Sequence, residues 1–324
     1  MKKRITSLAL ALTLCLSMGL TGCGSKTPDP AGSGSTSTVS DGKVYKFRMG
    51  NIAAEDDQIN VSMLWFADEL NKRSDGRIQA TVYPNGEFGG SNKEQLEMVM
   101  GGTLEFTTVP GFTIAAMSDQ LKEFYISDYP YLLDTFDTAF KFYDSDIGLQ
   151  MIDDLESVLK VHALRPHLLG YTGISCGKKS LVSPYDTANM KIRTSASTTY
   201  TETLKGWGAS PTSIDWSECY TALQQGAVDG MCTTSVYYIT SRFYEVQHYI
   251  TDIDFIPVPH YPVINQTWYD SLPDDLKAIF DEVAEEYVDV VRENHVNFFG
   301  TVYDKLADLG CEVTRLTPEQ KQVW

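Results

Sequence analysis

Basic residues, histidines and zinc-type cysteine spacings are scarce in this 324-residue chain, and each scarcity excludes a class of function. Lys and Arg number 26 against 43 Asp and Glu, a formal net charge of −17. That balance argues against a basic surface for nucleic acid or anionic lipid. The five histidines form no H-E-x-x-H motif and no pair spaced four apart, so no two imidazoles share a helix face as metal ligands. No metal and no cofactor are expected.

Cysteines are few beyond the N-terminal segment: Cys176, Cys219, Cys232 and Cys311. Three pairings of these four are possible, and spacing alone does not rank them. A Cys176–Cys232 disulfide is one possibility. The favoured interpretation is that all four serve as small buried apolar residues.

Long hydrophobic runs are also missing, except at the start of the chain. Residues 5–20 are apolar, follow three basic residues and are short for a membrane span, so residues 1–22 are predicted to be a secretory signal. The segment ends in "LTGC", which resembles a lipobox and predicts a lipid anchor on Cys23. Residues 24–42, rich in Gly, Ser, Thr and Pro, are predicted to be a flexible tether.

Strands alternate with helices from residue 43 onward, which predicts an α/β fold. The patterns predict strands at 44–51, 77–84, 104–110, 161–172, 190–195, within 206–215 and at 229–234. They predict helices at 59–74, 91–102, about 198–205, 217–226 and 273–309. Two α/β cycles indicate two lobes with a cleft between them, one of about 43–160 plus C-terminal segments and one of about 161–250.

The segment "GISCG", residues 173–177, fits the G-x-S-x-G pattern of a nucleophile elbow, with Ser175 as the candidate nucleophile. A strand leads into it, but turn-forming residues follow where a helix is required. A secreted esterase using Ser175 is therefore the alternative in the enzyme class. The segment is one residue too short between its glycines to be a P-loop.

Arg193 is the residue that most needs an explanation. It lies in the β-prone run "NMKIRTSAST", and its acidic neighbours in sequence are no nearer than Asp186 and Glu202. A half-buried guanidinium is costly unless an anion meets it. The hydroxyl-rich stretch after it begins a predicted helix, whose free N–H groups suit a carboxylate or phosphate. The anion is either a bound ligand or a distant Asp or Glu of the same chain.

The chain resembles the solute-binding proteins of TRAP (tripartite ATP-independent periplasmic) transporters, DctP type. The resemblance spans most of residues 43–320. It is carried by "SDGRIQATVYPNGEFGG" (74–90), "GGTLEFTTV" (101–109), "KIR" (191–193), "GASPTSIDWSECYTALQQGAVDG" (208–230), "SRFYEVQHYIT" (241–251) and "DSLPDDLKAIF" (270–280).

This resemblance implies a periplasmic-binding-protein-like clamshell of two lobes, with a long C-terminal helix packing across them. It implies capture of an organic acid outside the cytoplasm and delivery to membrane permease subunits, by a non-catalytic protein expected to be a monomer. A sensor module that reports ligand occupancy to a signalling partner would use the same clamshell and is not distinguished here.

The resemblance also implies roles for particular residues. Arg193 would grip the ligand carboxylate, and Trp216 would cover the apolar part of the ligand. Thr233 would stand where many members have a ligand-binding Asn. The loop 51–54, which begins at Asn51, and the "TVPGF" loop 108–112 around Pro110 are also expected to face the cleft, as are Tyr200 and Phe255.

Several polar groups of related proteins are missing. No second Arg lies between Arg165 and Arg193, Pro110 stands where sialate-binding members have Glu, and Asp254 and Phe255 stand where many members have Asn-His. A ligand hydroxyl or carboxylate that is buried in an aromatic cleft without a hydrogen-bond partner reduces the binding free energy. The departures therefore predict a ligand with one carboxylate and a less polar remainder.

Overall fold

The computed structural model describes residues 42–324. The predicted signal, Cys23 and the tether up to residue 41 lie outside the described residues. The strands of the described part are β1 Tyr45–Gly50, β2 Ile78–Tyr83, β3 Phe106–Pro110, β4 Val161–Ala163, β5 His167–Cys176, β6 Lys191–Thr194, β7 Ser210–Ser213, β8 Gly230–Thr234, β9 Tyr249–Thr251, β10 Pro257–Asn265 and β11 Glu312–Thr314.

The α-helices are α1 Gln58–Arg73, α2 Asn92–Met100, α3 Gly111–Met117, α4 Phe136–Tyr143, α5 Asp146–Leu159, α6 Thr198–Gly206, α7 Cys219–Gln224, α8 Ser235–Thr240, α9 Gln266–Asp270, α10 Asp274–Phe299, α11 Val302–Asp308 and α12 Pro318–Lys321. Short 3₁₀ helices occupy Asp119–Asp128, Pro184–Thr187, Trp216–Glu218 and Phe243–Glu245. Within this range, no helix combines the length and hydropathy needed to cross a membrane.

The strands form two parallel half-sheets joined by two long strands. The order is β2-β1-β3-β10-β5-β8-β6-β7, with β4, β9 and β11 off this path. We call β1 to β3 the first half-sheet and β6 to β8 the second half-sheet. The joining strands, β5 and β10, run antiparallel to each other and to the half-sheet strands beside them. This arrangement leaves a space where the two half-sheets face each other across β5 and β10.

The two joining strands differ in how well sequence reveals them. All ten residues of β5 are buried, as expected of a strand covered on both faces. In contrast, β10 contains Pro257, Pro259 and Pro262, and proline is normally confined to strand edges or bulges. The pairing of β10 with β5 shifts register between Pro257 and Pro259, which accommodates these residues. Periodicity alone therefore does not predict β10.

Capping signals place the helices that border the space between the half-sheets. Ser91 and Glu94 form a capping box at the start of α2, and Gly101 ends that helix. The Ser197 side chain accepts a hydrogen bond from the backbone N–H of Tyr200 at the start of α6. Both helix starts agree with the sequence prediction.

The single helix predicted for 273–309 is wrong, because the chain forms two helices with a break at Gly300 and Thr301. Up to this point α10 packs against α1 and β5, whereas α11 packs against α8. The break lets the chain change neighbours. The apolar face of α10, which includes Leu276, Phe280, Val283, Tyr287 and Val291, is buried in the core. Tyr287 stacks there on Phe66 of α1, with ring centroids 4.7 Å apart.

Gly170 of β5 is a position where glycine is required, because its φ is +129° and a methyl group there would lie 2.2 Å from Cδ2 of Phe299 in α10. We expect Gly170→Ala to lower the free energy of unfolding by about 2 to 5 kcal/mol, the combined cost of backbone strain and overpacking. Gly206→Ala is the matched control, since no atom lies within 4 Å and its φ is ordinary. Chemical denaturation of both variants measures the difference, and equal stabilities would contradict this packing.

Candidate functional site

A cleft of about 480 Å³ opens between the two half-sheets. The part belonging to the first half-sheet and its helices comprises Ile52, Ser91, Asn92, Lys93, Glu94, Glu97, Pro110, Phe112 and Thr113. The part belonging to β5, β10, the second half-sheet and their connections comprises Thr172, Arg193, Ser195, Ala196, Tyr200, Ser213, Ile214, Asp215, Trp216, Cys232, Thr233, Thr234, Tyr237, Val258 and His260. Residues distant in sequence thus converge on one enclosed space.

Arg193 projects into this cleft from β6, and its side chain is only 5% exposed. Its Nε and Nη2 donate to the backbone carbonyl of Ile214 at 3.1 and 2.9 Å. Among the described residues no carboxylate lies within ion-pair distance of the guanidinium. Burial lowers the pKa of Arg193 from its usual value, which reflects a cation desolvated without a full counter-charge. The remaining N–H groups are therefore available to an anion in the cleft.

An aromatic wall stands beside the guanidinium. The Arg193 Cζ lies 5.5 Å from the ring centroid of Trp216, which is half-buried. Trp216 in turn contacts Tyr237, with ring centroids 4.5 Å apart. Phe112 faces the same space from α3. The cleft therefore combines one cationic point with an apolar surface that suits the carbon skeleton of a ligand.

A hydroxyl pair closes another part of the wall. The hydroxyl groups of Tyr200 and Thr172 lie 2.8 Å apart, one donating to the other. Burial raises the pKa of Tyr200 well above its usual value, so this phenol stays neutral. Asp128, from the 3₁₀ segment Asp119–Asp128, accepts a hydrogen bond at 2.6 Å from Oγ of Ser197, the cap of α6. This bond connects α6, the helix that carries Tyr200, to the 3₁₀ segment Asp119–Asp128.

The other charged groups of the cleft lie at its exposed rim. Lys93 and Glu97 are exposed on α2, with Nζ of Lys93 3.8 Å from Oε1 of Glu97. Glu94 and Asp215 are also exposed. Rim charges are solvated and screened, so they contribute little to holding a buried anion. Within the described residues, Arg193 is the buried cation that lines this cleft.

Five of the residues expected to face the cleft do line it: Arg193, Trp216, Thr233, Tyr200 and Pro110. Two expected residues do not. Asn51 is 2% exposed and turned inward, where its Oδ1 accepts from the backbone N–H of Ala53 at 2.8 Å and its Nδ2 donates to Asn60. Asn51 shapes the loop, and the next residue, Ile52, reaches the cleft instead.

Phe255 is the second expected residue that lies elsewhere. It is 1% exposed and packs in a small core, with its ring centroid 5.2 Å from Trp207 and 6.1 Å from Tyr200. Phe255 therefore supports the back of Tyr200 rather than offering a surface to a ligand. A sequence position before a strand does not reveal which face the side chain takes.

Ile52 and Phe112 line the cleft from the two loops expected to face it. Four other lining residues were not expected from the sequence: Thr172, Tyr237, Val258 and His260. They lie on β5, on β10 or, for Tyr237, on the helix directly after β8. The period-two pattern of a strand buried on both faces carries little information about which side borders a cleft.

Ser175 has no features of a catalytic nucleophile. It lies inside β5, is fully buried, and donates a hydrogen bond to Oε1 of Gln247 at 3.1 Å. No α-helix begins directly after β5, where the next element is the short 3₁₀ helix Pro184–Thr187, so the strand–turn–helix geometry of an elbow is not formed. The esterase alternative therefore has no support in the structure.

The four described cysteines, Cys176, Cys219, Cys232 and Cys311, are buried and unpaired. A Cys176–Cys232 disulfide is not formed, and these residues fill the core as the favoured interpretation expected. In the described range, no cluster of His, Cys, Asp or Glu has the arrangement of a metal site.

Comparison with known proteins decides the family. The family model for bacterial extracellular solute-binding proteins of family 7, called DctP, matches residues 49–324. The chain belongs to this family. Its members are binding proteins, and the TRAP-type resemblance inferred from the motifs is confirmed.

Relatives and solved structures agree with this assignment. The C4-dicarboxylate-binding periplasmic protein DctP of Shewanella loihica is 28% identical over 86% of this chain and 82% of its own length. The ectoine-binding periplasmic protein TeaA of Halomonas elongata is 28% identical over 80% of this chain and 75% of its own. The sugar acid binding protein DctPAm of Advenella mimigardefordensis, solved with galactonate, superposes with a TM-score of 0.81 at 24% identity, over 86% of this chain and 89% of that chain. The expected two-lobe α/β fold is thereby confirmed.

Arg193 has no carboxylate partner within residues 42–324, which has a measurable consequence for the unliganded protein. We expect Arg193→Met to leave the free energy of unfolding within about 1 kcal/mol of wild type or to raise it, since a desolvated cation is removed. The matched control is Arg292, also buried, which binds Asp144 through Nη1 and Nη2 at 2.7 and 2.9 Å. Arg292→Met should lower the free energy of unfolding by about 1.5 to 3 kcal/mol, because it removes both charge-assisted hydrogen bonds to Asp144, whose carboxylate keeps only Arg165 at 3.3 Å.

Chemical denaturation in ligand-free buffer measures both variants. If Arg193→Met lost as much stability as Arg292→Met, Arg193 would have an internal anionic partner, and its availability to a ligand would be disproved.

Proposed function

We propose that this protein captures an organic acid outside the cytoplasm by its carboxylate and passes it to TRAP membrane permease subunits. The single observation that carries the proposal is the buried Arg193, which lines the cleft without a carboxylate partner among the described residues. A buried guanidinium gains strongly from a bidentate anion, and the cleft is where that anion can enter.

The ligand carboxylate would accept hydrogen bonds from the N–H groups that Ile214 leaves unused. Trp216 would cover the carbon skeleton next to the carboxylate, with its ring already positioned against the guanidinium. Exclusion of water from the cleft lowers the local dielectric and strengthens the ion pair. Recognition then depends on one strong charged contact and on apolar complementarity.

The charge distribution favours an acid with one carboxylate and a less polar remainder. A second buried carboxylate would have no cation in the described part of the cleft, because Lys93 is exposed and faces Glu97. The names of related proteins include C4-dicarboxylate and galactonate ligands, whose shared group is a carboxylate. That shared carboxylate supports the role proposed for Arg193. The proposal of a single carboxylate in the ligand rests on the single buried cation among the described residues that line this cleft.

A lipid anchor at Cys23 would keep the protein beside its permease. The proposal rests on the "LTGC" motif after an apolar signal and on the Gly/Ser/Thr/Pro tether that follows it. A slack tether allows the folded part to bind ligand in solution and to meet a membrane partner without leaving the surface.

A thermal-shift screen of organic acids tests ligand capture. We expect monocarboxylic acids with apolar bodies to raise Tm, since a ligand that binds only the folded state stabilises it by mass action. In calorimetry with the tightest acid, Arg193→Ala should lose about 2 to 5 kcal/mol of binding free energy. Lys93→Ala, which removes the rim cation, should change affinity less than threefold.

A loss of less than tenfold in Arg193→Ala would refute the role assigned to that residue. Tighter binding of dicarboxylates than of every monocarboxylate would refute the proposed ligand class while leaving acid capture intact.

Membrane fractionation of a bacterium expressing the full chain tests the anchor. The wild-type protein should sediment with membranes and incorporate labelled palmitate, whereas Cys23→Ala should be unlabelled and released. Cys15→Ala is the matched control, because Cys15 lies within the predicted signal and is removed with it. Unchanged membrane association of Cys23→Ala would contradict the anchor.

A further inference from the structure

His260 is an unusual lining residue of the cleft. It lies on β10, is 4% exposed, and borders the same cavity as Arg193. Neither ring nitrogen of His260 has a hydrogen-bond partner among the described residues, and its Nδ1 is completely buried. Buried polar side chains are nearly always paired, and His260 borders the cleft without a partner in the described range. A polar atom of a ligand in the cleft can supply the missing hydrogen bond.

The surroundings keep the His260 ring in place and uncharged. The ring centroid of His260 lies 6.0 Å from that of His167 in β5. The ring centroid of His167 lies in turn 5.1 Å from that of His295 in α10. Burial lowers the pKa of His260 to about 3, and the nearby His295 adds to this effect. His260 is therefore a neutral hydrogen-bonding group at physiological pH, with one nitrogen that donates and one that accepts.

His260 and Arg193 lie on opposite sides of the cleft. His260 pairs with His167 of β5, whereas Arg193 pairs with Met231 of β8, which is level with Ser175 further along β5. The two residues are therefore separated along the strands as well as across the strand order β10-β5-β8-β6. The two side chains bridge that distance only in part. A ligand held by Arg193 therefore needs a chain of several carbon atoms to reach His260.

We infer that His260 selects the far end of the ligand, hydrogen-bonding a hydroxyl or carbonyl group of an acid whose carboxylate is held by Arg193. This inference rests on the proposed function and narrows it to acids with one carboxylate and one neutral polar group. A plain alkanoate leaves the His260 nitrogen desolvated and unpaired, and a second carboxylate meets no cation there.

Acids of equal length that differ only at the far end test this selection. Isothermal titration with alkanoates of four to eight carbons, and with their ω-hydroxy and ω-carboxy counterparts, measures the preference at each length. At the best length, the wild-type protein should bind the ω-hydroxy acid about tenfold or more tighter than the alkanoate, and the dicarboxylate most weakly.

Substitutions at His260 assign the preference to this residue. His260→Phe should bring the hydroxy acid and the alkanoate within threefold of each other without weakening the alkanoate. His260→Gln, which keeps a neutral donor and acceptor, should retain part of the preference. His248→Phe, at an exposed histidine, should behave as wild type.

These experiments distinguish the role inferred for His260 from the proposed capture of an organic acid. If acids bind and Arg193→Ala abolishes binding, but the wild-type protein shows no hydroxyl preference at any length, or His260→Phe keeps it, the inference is overturned while acid capture stands. If no acid binds, the proposed function itself fails. If His260→Phe does not fold, the wild-type panel and His260→Gln still decide.

Discussion

The rest of the site depends on one buried positive charge, Arg193, that no carboxylate of residues 42–324 neutralises. Arg193 is held by the carbonyl of Ile214 and flanked by the ring of Trp216, and these contacts fix its position without supplying a counter-charge. An arginine held in this way lowers the stability of the ligand-free protein, because its charge is desolvated without a counter-charge. The same arginine contributes binding free energy when a ligand carboxylate pairs with it. The cost is tolerated because the fold around it, with two half-sheets joined by β5 and β10, encloses the space where an acid can bind.

The chemistry around this charge is divided between two sides of the molecule. The second half-sheet and its connections supply the cation of Arg193 and the ring of Trp216. Strand β10 supplies the neutral imidazole of His260, and the first half-sheet with α3 supplies Pro110 and Phe112. The bond between Asp128 and Ser197 shows that the two sides also meet through buried polar contacts next to the cleft. Charge, apolar surface and neutral polarity are thus held at separate points, which is how a single cleft can read different parts of one small molecule.

Local signals in the sequence predicted β1 to β3, β6 to β8, α1, α2, α6 and α7. They did not predict α3, α4 and α5, and they gave a single strand at 161–172 where the chain forms β4 and β5. The cap at Ser91, the stop at Gly101 and the cap at Ser197 lie where their residue types require them. The errors have physical causes. Three prolines within β10 hide that strand. The helical pattern of the sequence continues past Gly300, where the chain ends α10 and changes its packing partner.

For the site, the sequence by itself determined that an arginine lies in a strand without an acidic neighbour, and that serines and threonines follow it. It also carried the order of motifs that identifies the family. Only the tertiary structure decided that no carboxylate of the described part of the chain reaches Arg193. It also decided that Asn51 and Phe255 turn into the interior and that His260 lines the cleft. The reason is physical: burial, pairing and the face a side chain takes depend on neighbours far apart in the chain, which meet only when β5 and β10 bring the two half-sheets together.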